Sequence, residues 1–478
     1  MTFSVHRRSL RAALAACALL VSACTPSGPS TGPAPGLSAG PAPAWTAQSS
    51  AGEISRWVRR ECGRVFTSRQ PCVERNLVAL IDQAGIGRTM EVLDTLVAVD
   101  SDVRFNAHAL AHGLGIAAYR TPETLAATFS ACPPTQMSGC YHGVVQGYFL
   151  ALARQGITPG TAHLDAMCEP HRASPFLFFQ CAHGVGHGLM AVHDNHVPMS
   201  LEGCDLASDG FIRESCYGGV FMENIVHVTH PHHTAEGHAG TQGGHGASGD
   251  AGHAAQAAAA DPHAVHGGSQ PATANAGHPH AGQPADAGHD HAAPAMRHGE
   301  WVALNRNDPL YPCNVVASKY QESCYTMQSS AILFFNGGDV QATARACDTA
   351  PAGMVQTCFL SLGRDVTALA SQNHARSLEL CARAEGLGGG RGDLWCMLGV
   401  VQNLVNLAAD PGEGMRFCRA VESAAHKGDC YRVVGEAIAT LMAEAERRGQ
   451  SCQAAEPGYA PACLRGAGVE PRGGSDDE

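Results

Sequence analysis

The chain has 478 residues, 45% of them hydrophobic, and a formal net charge of −12. That is enough for a globular body of moderate size, and the acidic balance argues against nucleic acid as a partner. Twenty cysteines are many for a protein kept in a reducing compartment, so the cysteines and the N-terminus are read together.

The chain opens MTFSVHRRSLRAALAACALLVSAC. Arg7, Arg8 and Arg11 form a basic start, and Ala12 to Leu20 an apolar run too short to be a good membrane span. The VSAC that follows resembles the bacterial lipobox. That resemblance to bacterial lipoproteins implies a signal peptide over residues 1–23, cleavage before Cys24, and a palmitate-type lipid on Cys24. It further implies an extracytoplasmic protein, periplasmic or at the cell surface, held to the membrane through its lipid anchor. An ordinary secretory signal is the alternative. Residues 24–50, rich in Pro, Gly, Ser and Ala, cannot bury a core and read as a flexible tether. Residues 465–478 read as a disordered tail for the same reason.

With Cys17 in the signal and Cys24 lipidated, eighteen cysteines remain. They fall into nine neighbouring pairs, 8 to 15 residues apart. Cys62 goes with Cys72, Cys132 with Cys140, Cys168 with Cys181, and Cys204 with Cys216. Cys313 goes with Cys324, Cys347 with Cys358, Cys381 with Cys396, Cys418 with Cys430, and Cys452 with Cys463. From Cys132 the first members step by 36 and 36, and from Cys313 by 34, 34, 37 and 34. A period in this range marks stacked helical hairpins. The long step, 109 residues from Cys204 to Cys313, falls to 37 once the 72 residues from His227 to His298 are removed. Residues 227–298 are therefore an insertion between an N-terminal repeat block, 51–226, and a C-terminal one, 299–464.

The text after each second cysteine is self-similar, as in CYHGVVQGY, CAHGVGHGL, CYGGVFMEN and CMLGVVQNL, and opens an apolar run of helical length. Segments before the first cysteine, such as ETLAATFSAC and GDVQATARAC, are also helical in pattern. The expected unit is an outgoing helix, a cysteine, a short loop, a second cysteine and a returning helix, with a disulfide tying the neck. Sequence does not fix such connectivity, but zinc held by cysteine clusters is disfavoured because no CxxC occurs. A closed loop of about 15 residues contributes roughly 3 kcal/mol in the chain-entropy account. The expected fold is an all-α solenoid of short, disulfide-stapled helical hairpins with a disordered His-rich insertion. Its period resembles that of tetratricopeptide-type α-solenoids. The Trp-Leu-Gly-Tyr-Ala-Phe-Pro pattern of that family is absent, so no function is carried over.

Counting from each second cysteine as zero, His142 and His183 stand at position +2 and His187 at +6. The stretch NAHALAHGLG, 106–115, puts His108 and His112 in the same phase, with Asn106 where the cysteine would be. It looks like one more unit that lacks its disulfide. Histidines four apart share a helical face, and equivalent positions of stacked units lie side by side. His108, His112, His142, His183 and His187 are therefore expected to converge on one surface, with Met222 and Glu223 at its edge and Met190 on a similar face. Gly143, Gly184 and Gly219, at +3, let the helices approach closely. The expected ligands are these five histidines and Glu223, for zinc or copper. The competing reading is a hydrogen-bonded polar face for a ligand or for a protein partner in the solenoid groove. Later units carry Arg364, Asp365, Gln402, Asn403, Arg432 and Glu436 on this face, read as ordinary polar groups.

The insertion holds 14 of the 26 histidines and lacks the apolar residues needed to fold. Histidine spaced by Gly, Ala and Asp makes a flexible multidentate chelator, suited to a loading or buffering arm. Three functions are open: metal handling or buffering at the cell envelope, a metal-dependent enzyme using Glu223 as ligand or general base, and a metal-free interaction scaffold. No phosphate-binding Gly-rich loop, G-x-S-x-G or H-E-x-x-H occurs.

Overall fold

The computed structural model describes residues 45–46, 48–64, 69–229, 301–408 and 410–469. The expected signal peptide, most of the tether, the insertion from residue 230 and the tail from residue 470 lie outside the described residues, and so does the lipid site at Cys24. Within them the protein is all-α, with no strand. No described helix is long and apolar enough to cross a membrane.

Helix α1 (Ala51–Cys62) starts on a capping box, in which Ser50 and Glu53 satisfy each other's backbone N–H. Helix α2 (Gln70–Val99) is two helices meeting at Gly85, whose φ of +78° a residue with a side chain rarely adopts. Its first half returns from α1, and its second half leads through α3 (Ser101–Phe105) to α4 (Ala107–Ala118). Asn106 is the N-cap of α4. The 70-residue step from Cys62 to Cys132 thus spans two repeats, the second unstapled.

Three stapled hairpins follow: α5 (Leu125–Ser130) with α6 (Gly139–Arg154), α7 (Thr161–Cys168) with α8 (Pro175–Val192), and α9 (Val197–Asp205) with α10 (Gly210–Thr229). The C-terminal block returns along α11 (Ser318–Asn336), then pairs α12 (Val340–Asp348) with α13 (Val355–Leu369) and α14 (His374–Cys381) with α15 (Gly392–Ala408). It closes with α16 (Pro411–Ala420) and α17 (Ala424–Leu441), then α18 (Ala445–Cys452) and α19 (Ala460–Gly466).

All nine expected cysteine pairs are disulfides, with Cα separations of 5.3 to 5.8 Å. In the N-terminal block Cys62 is bonded to Cys72, Cys132 to Cys140, Cys168 to Cys181 and Cys204 to Cys216. In the C-terminal block Cys313 is bonded to Cys324, Cys347 to Cys358, Cys381 to Cys396, Cys418 to Cys430 and Cys452 to Cys463. Each second cysteine lies near the start of its returning helix, so the bond closes the neck of the hairpin.

Three local expectations change. Residues 301–316 form turns, not an outgoing helix, before Cys313. Pro309 and Pro312 lack the N–H a helix needs, and Asn305 and Asp308 bond the backbone two residues on instead. Helix α10 runs to Thr229, so His227 belongs to it and not to the insertion; Val226 and Val228 continue its packed side. The tail does not begin at residue 465: α19 extends to Gly466, Ala467 is buried, and Val469 N–H bonds back to the Leu464 carbonyl across Gly468, at φ +63°.

The returning helices form one row, α2, α4, α6, α8, α10, α11, α13, α15, α17 and α19, each packed on the next. The row continues across the insertion point, where the Asp205 carboxylate accepts from Tyr217 Oη (2.6 Å), Lys319 Nζ (2.7 Å) and Tyr320 Oη (2.5 Å). Two of the three +3 glycines lie against the backbone of the preceding returning helix. A Cβ on Gly143 would stand 2.1 Å from the His112 carbonyl oxygen, and one on Gly219 2.1 Å from that of His183. Gly184 instead faces the Val145 side chain at 3.0 Å. The row also curls on itself: α8 meets α17, and the turn 136–138 meets α15. The histidine face is accordingly buried, and so are Arg364, Asp365 and Asn403 of the later units.

Candidate metal centre

Helix α4 carries His108 and His112, α6 carries His142, and α8 carries His183 and His187. None of the five is more than 2% exposed. Ring centroids lie 4.6 Å apart for His108 and His112, 5.3 Å for His112 and His142, and 4.9 Å for His112 and His187. His142 is 5.0 Å from both His183 and His187, which are 5.2 Å from each other. The expected convergence is therefore real, but it lies inside the body rather than on a surface.

Two groups of donor atoms result. One is His108, His112 and His142; the other is His142, His183 and His187. Within each group the atoms lie within 4.8 Å of one another. A tetrahedral ion with bonds of about 2.1 Å spaces its nitrogens about 3.4 Å apart, inside that limit. The clustered rings can chelate a metal ion.

The surroundings of each ring decide which nitrogen is available. His108 Nδ1 lies 2.9 Å from the Gln136 carbonyl oxygen, which can only accept, so Nδ1 carries the proton and Nε2 the lone pair. His142 Nε2 donates to Gln180 Oε1 at 2.9 Å, which leaves Nδ1 as the base. His187 Nδ1 donates to Glu223 Oε2 at 2.7 Å, and its buried Nε2 meets no hydrogen-bond partner among the described residues. The Ser215 backbone bonds His183, whose Nδ1 edge faces α10, where a Cβ on Gly218 would stand 3.3 Å away. An acceptor behind a ring that takes one proton and aims the other nitrogen, as at four of the five rings, is how proteins orient metal-ligating histidines.

Burial also keeps the rings neutral. Desolvation, reinforced by the neighbouring imidazoles, holds His142 and His183 well below the usual histidine range. Burial pushes His187 down to about 3. Neutral imidazole is the ligating form, so at neutral pH a cation meets little competition from protons here.

Glu223 is in neither donor group. From α10 its carboxylate meets the edge of His187, with Oε2 2.7 Å from Nδ1. Met222, one residue earlier, puts Sδ 3.3 Å from His183 Nε2. Met190 is buried in the apolar core. Among the later polar groups, Arg364 and Asp365 pair with each other and with Ser329 and Ser330. Asn403 donates to the Arg364 carbonyl, and Arg432 pairs with Glu436.

Sequence reasoning passed over Gln136, Gln180 and Ser215. Gln180 stands directly before Cys181, in a phrase whose histidines drew the attention. Gln136 and Ser215 act through their backbones, which leave no mark in the side-chain pattern. No protein-family model, curated protein or solved structure matches this chain.

Proposed function

We propose that this protein binds a transition-metal ion, zinc or copper, in its histidine cluster, and handles or buffers that metal at the cell envelope. One observation carries the reading: His108, His142, His183 and His187 each have a backbone or side-chain acceptor behind them, which sets the proton on one nitrogen and turns the other toward the shared interior. While Gln180 holds the Nε2 proton of His142, that ring has a single lone pair. The two triads are then alternative cradles for one ion rather than two filled sites.

Residues 230–298 are the proposed loading or buffering arm. Their histidines titrate near pH 6.5 and bind weakly and exchangeably. Helix α10 carries Met222 and Glu223 and ends at Thr229, so the arm departs about 9 Å along the helix axis from Glu223. The proposed location is extracytoplasmic, with Cys24 lipidated and the chain tethered to a bacterial membrane. Nine disulfides support an oxidising compartment. A metal-dependent enzyme needs an open coordination position facing a cleft, whereas these rings are buried. A protein partner in the solenoid groove is compatible with the repeat architecture and with metal handling.

The test is metal analysis of the full chain with the insertion histidines replaced by alanine. One retained ion per chain, lost again when His142 and His187 are replaced by asparagine, is expected. A chain that keeps no ion once the insertion histidines are gone overturns the reading.

A further inference from the structure

We infer that the ion is monovalent copper, held by His142, His183 and His187 with the thioether of Met222 as fourth ligand. This rests on the metal-binding reading above and names the cation for it.

The first ground is the pairing of Met222 with His183. Their Sδ and Nε2 atoms are 3.3 Å apart and buried. Such a contact is a hydrogen bond only if Nε2 carries the proton. With Nδ1 turned to the Gly218 side of α10, Nε2 is the ring nitrogen beside the thioether, and its lone pair and that of Sδ can share one cation. Bonds of about 2.1 Å to nitrogen and about 2.3 Å to sulfur put tetrahedral neighbours about 3.6 Å apart, so the observed spacing is close to that of two ligands on one ion.

The second ground is the repeat itself. Position +6 is His112, Gln146, His187, Ser330, Arg364, Gln402 and Glu436 in seven of the inner units, polar each time. Only the first and last units, where the row ends, place an apolar valine there, Val78 and Val469. Met222 is the apolar exception among the inner units, and it sits against the histidine cluster. Core filling, the ordinary use of buried methionine, is not the use this position has in its neighbours.

The third ground is charge. The proposed ligands are three neutral imidazoles and a thioether. The carboxylate bonded to these rings is that of Glu223, through His187. The cost of burying an ion rises with the square of its charge, and one carboxylate balances one positive charge. Soft thioether ligands select Cu(I).

The test uses the full-length, disulfide-intact apoprotein. It is titrated anaerobically with Cu(I) against a chromophoric Cu(I) chelator, and separately with Zn(II) against a zinc dye. X-ray absorption is recorded at one equivalent of Cu(I). A copper–sulfur shell is expected in the wild type and in Met296→Leu, which removes a thioether of the insertion, and it should vanish in Met222→Leu. Met222→Leu nearly conserves volume. It should weaken Cu(I) about tenfold or more and change Zn(II) less than threefold. Circular dichroism and the melting temperature verify its fold. An unchanged sulfur shell and Cu(I) affinity in Met222→Leu overturn the copper assignment and leave the histidine reading standing. Cu(I) and Zn(II) affinities both unchanged in a His142→Asn, His187→Asn double variant overturn the histidine reading itself.

Discussion

Nδ1 of His187 lies 2.7 Å from Oε2 of Glu223, and neither side chain is more than 3% exposed. The two residues come from neighbouring returning helices, 36 positions apart in the chain, which is one repeat. A polar contact of this kind, made one unit along a solenoid, fixes the orientation of a buried histidine ring.

Replacing Glu223 by glutamine keeps the shape and removes the charge. His187 loses basicity and its Nε2 is less firmly aimed. Metal affinity should fall on the order of 10- to 100-fold, read by chelator competition, with the helical circular dichroism unchanged. An affinity within twofold of wild type would show that Glu223 plays no part in metal binding.

Gly143→Ala puts a methyl group 2.1 Å from the His112 carbonyl oxygen, and backbone cannot yield as a side-chain tip can. Helices α4 and α6 must separate, which should cost about 1–3 kcal/mol and draw His142 away from His112. The melting temperature and the metal stoichiometry should fall together. Gly428→Ala, in α17 with no atom within 4 Å of the new carbon, is the matched control. It should be neutral or slightly stabilising, because alanine favours helix over glycine.

Asp205 reports on the joint between the two repeat blocks. Burial pushes its carboxyl up, but hydrogen bonds from Lys319, Tyr217 and Tyr320 outweigh burial and hold it below the usual carboxylate value. A folded-state pKa below the unfolded one gives stability that is present above about pH 4 and is lost as pH falls through the folded value. Asp205→Asn should therefore be less stable than wild type at pH 7, by roughly 1–2 kcal/mol after allowance for partial exposure. The two urea midpoints should converge below about pH 4. A gap that persists into acid assigns the effect to packing instead of charge.

Metal should leave in two kinetic classes. The exchangeable histidines of the insertion give a fast phase with a chelator, which is lost when the pH is lowered below about 6.5, their ordinary titration range. The cluster lies under a closed row of helices and gives a slow phase limited by opening of the body. Stopped-flow release from the full chain should resolve both. A single fast phase that accounts for all bound metal would contradict burial of the binding ions.

Much of this protein is written locally. The 34- to 37-residue cysteine steps and the apolar runs after each second cysteine state the hairpin and its period and suggest its disulfide partners, because loop length and helical phase are properties of short segments. The shared phase of His108, His112, His142, His183 and His187 is local in the same sense, and stacking in register carries it into space. Where a local feature is ambiguous, the extent of an element is misread. Gly85 conceals two helices inside one apolar stretch, Pro309 and Pro312 suppress a helix, and α10 and the chain after α19 run past their expected ends.

What only the tertiary structure decided is the inside of the site. The curl that sets α8 against α17 depends on contacts between residues more than 200 positions apart; all five rings are buried, and burial lowers the pKa of His142, His183 and His187. The proton on His108 is fixed by the backbone carbonyl of Gln136, and the backbone of Ser215 bonds the ring of His183. Every residue has a backbone carbonyl, so no side-chain pattern marks these two. Glu223 and Met222 are neighbours in sequence, yet one meets Nδ1 of His187 and the other Nε2 of His183, because adjacent helical residues point about 100° apart and only the packed neighbour determines what each one meets.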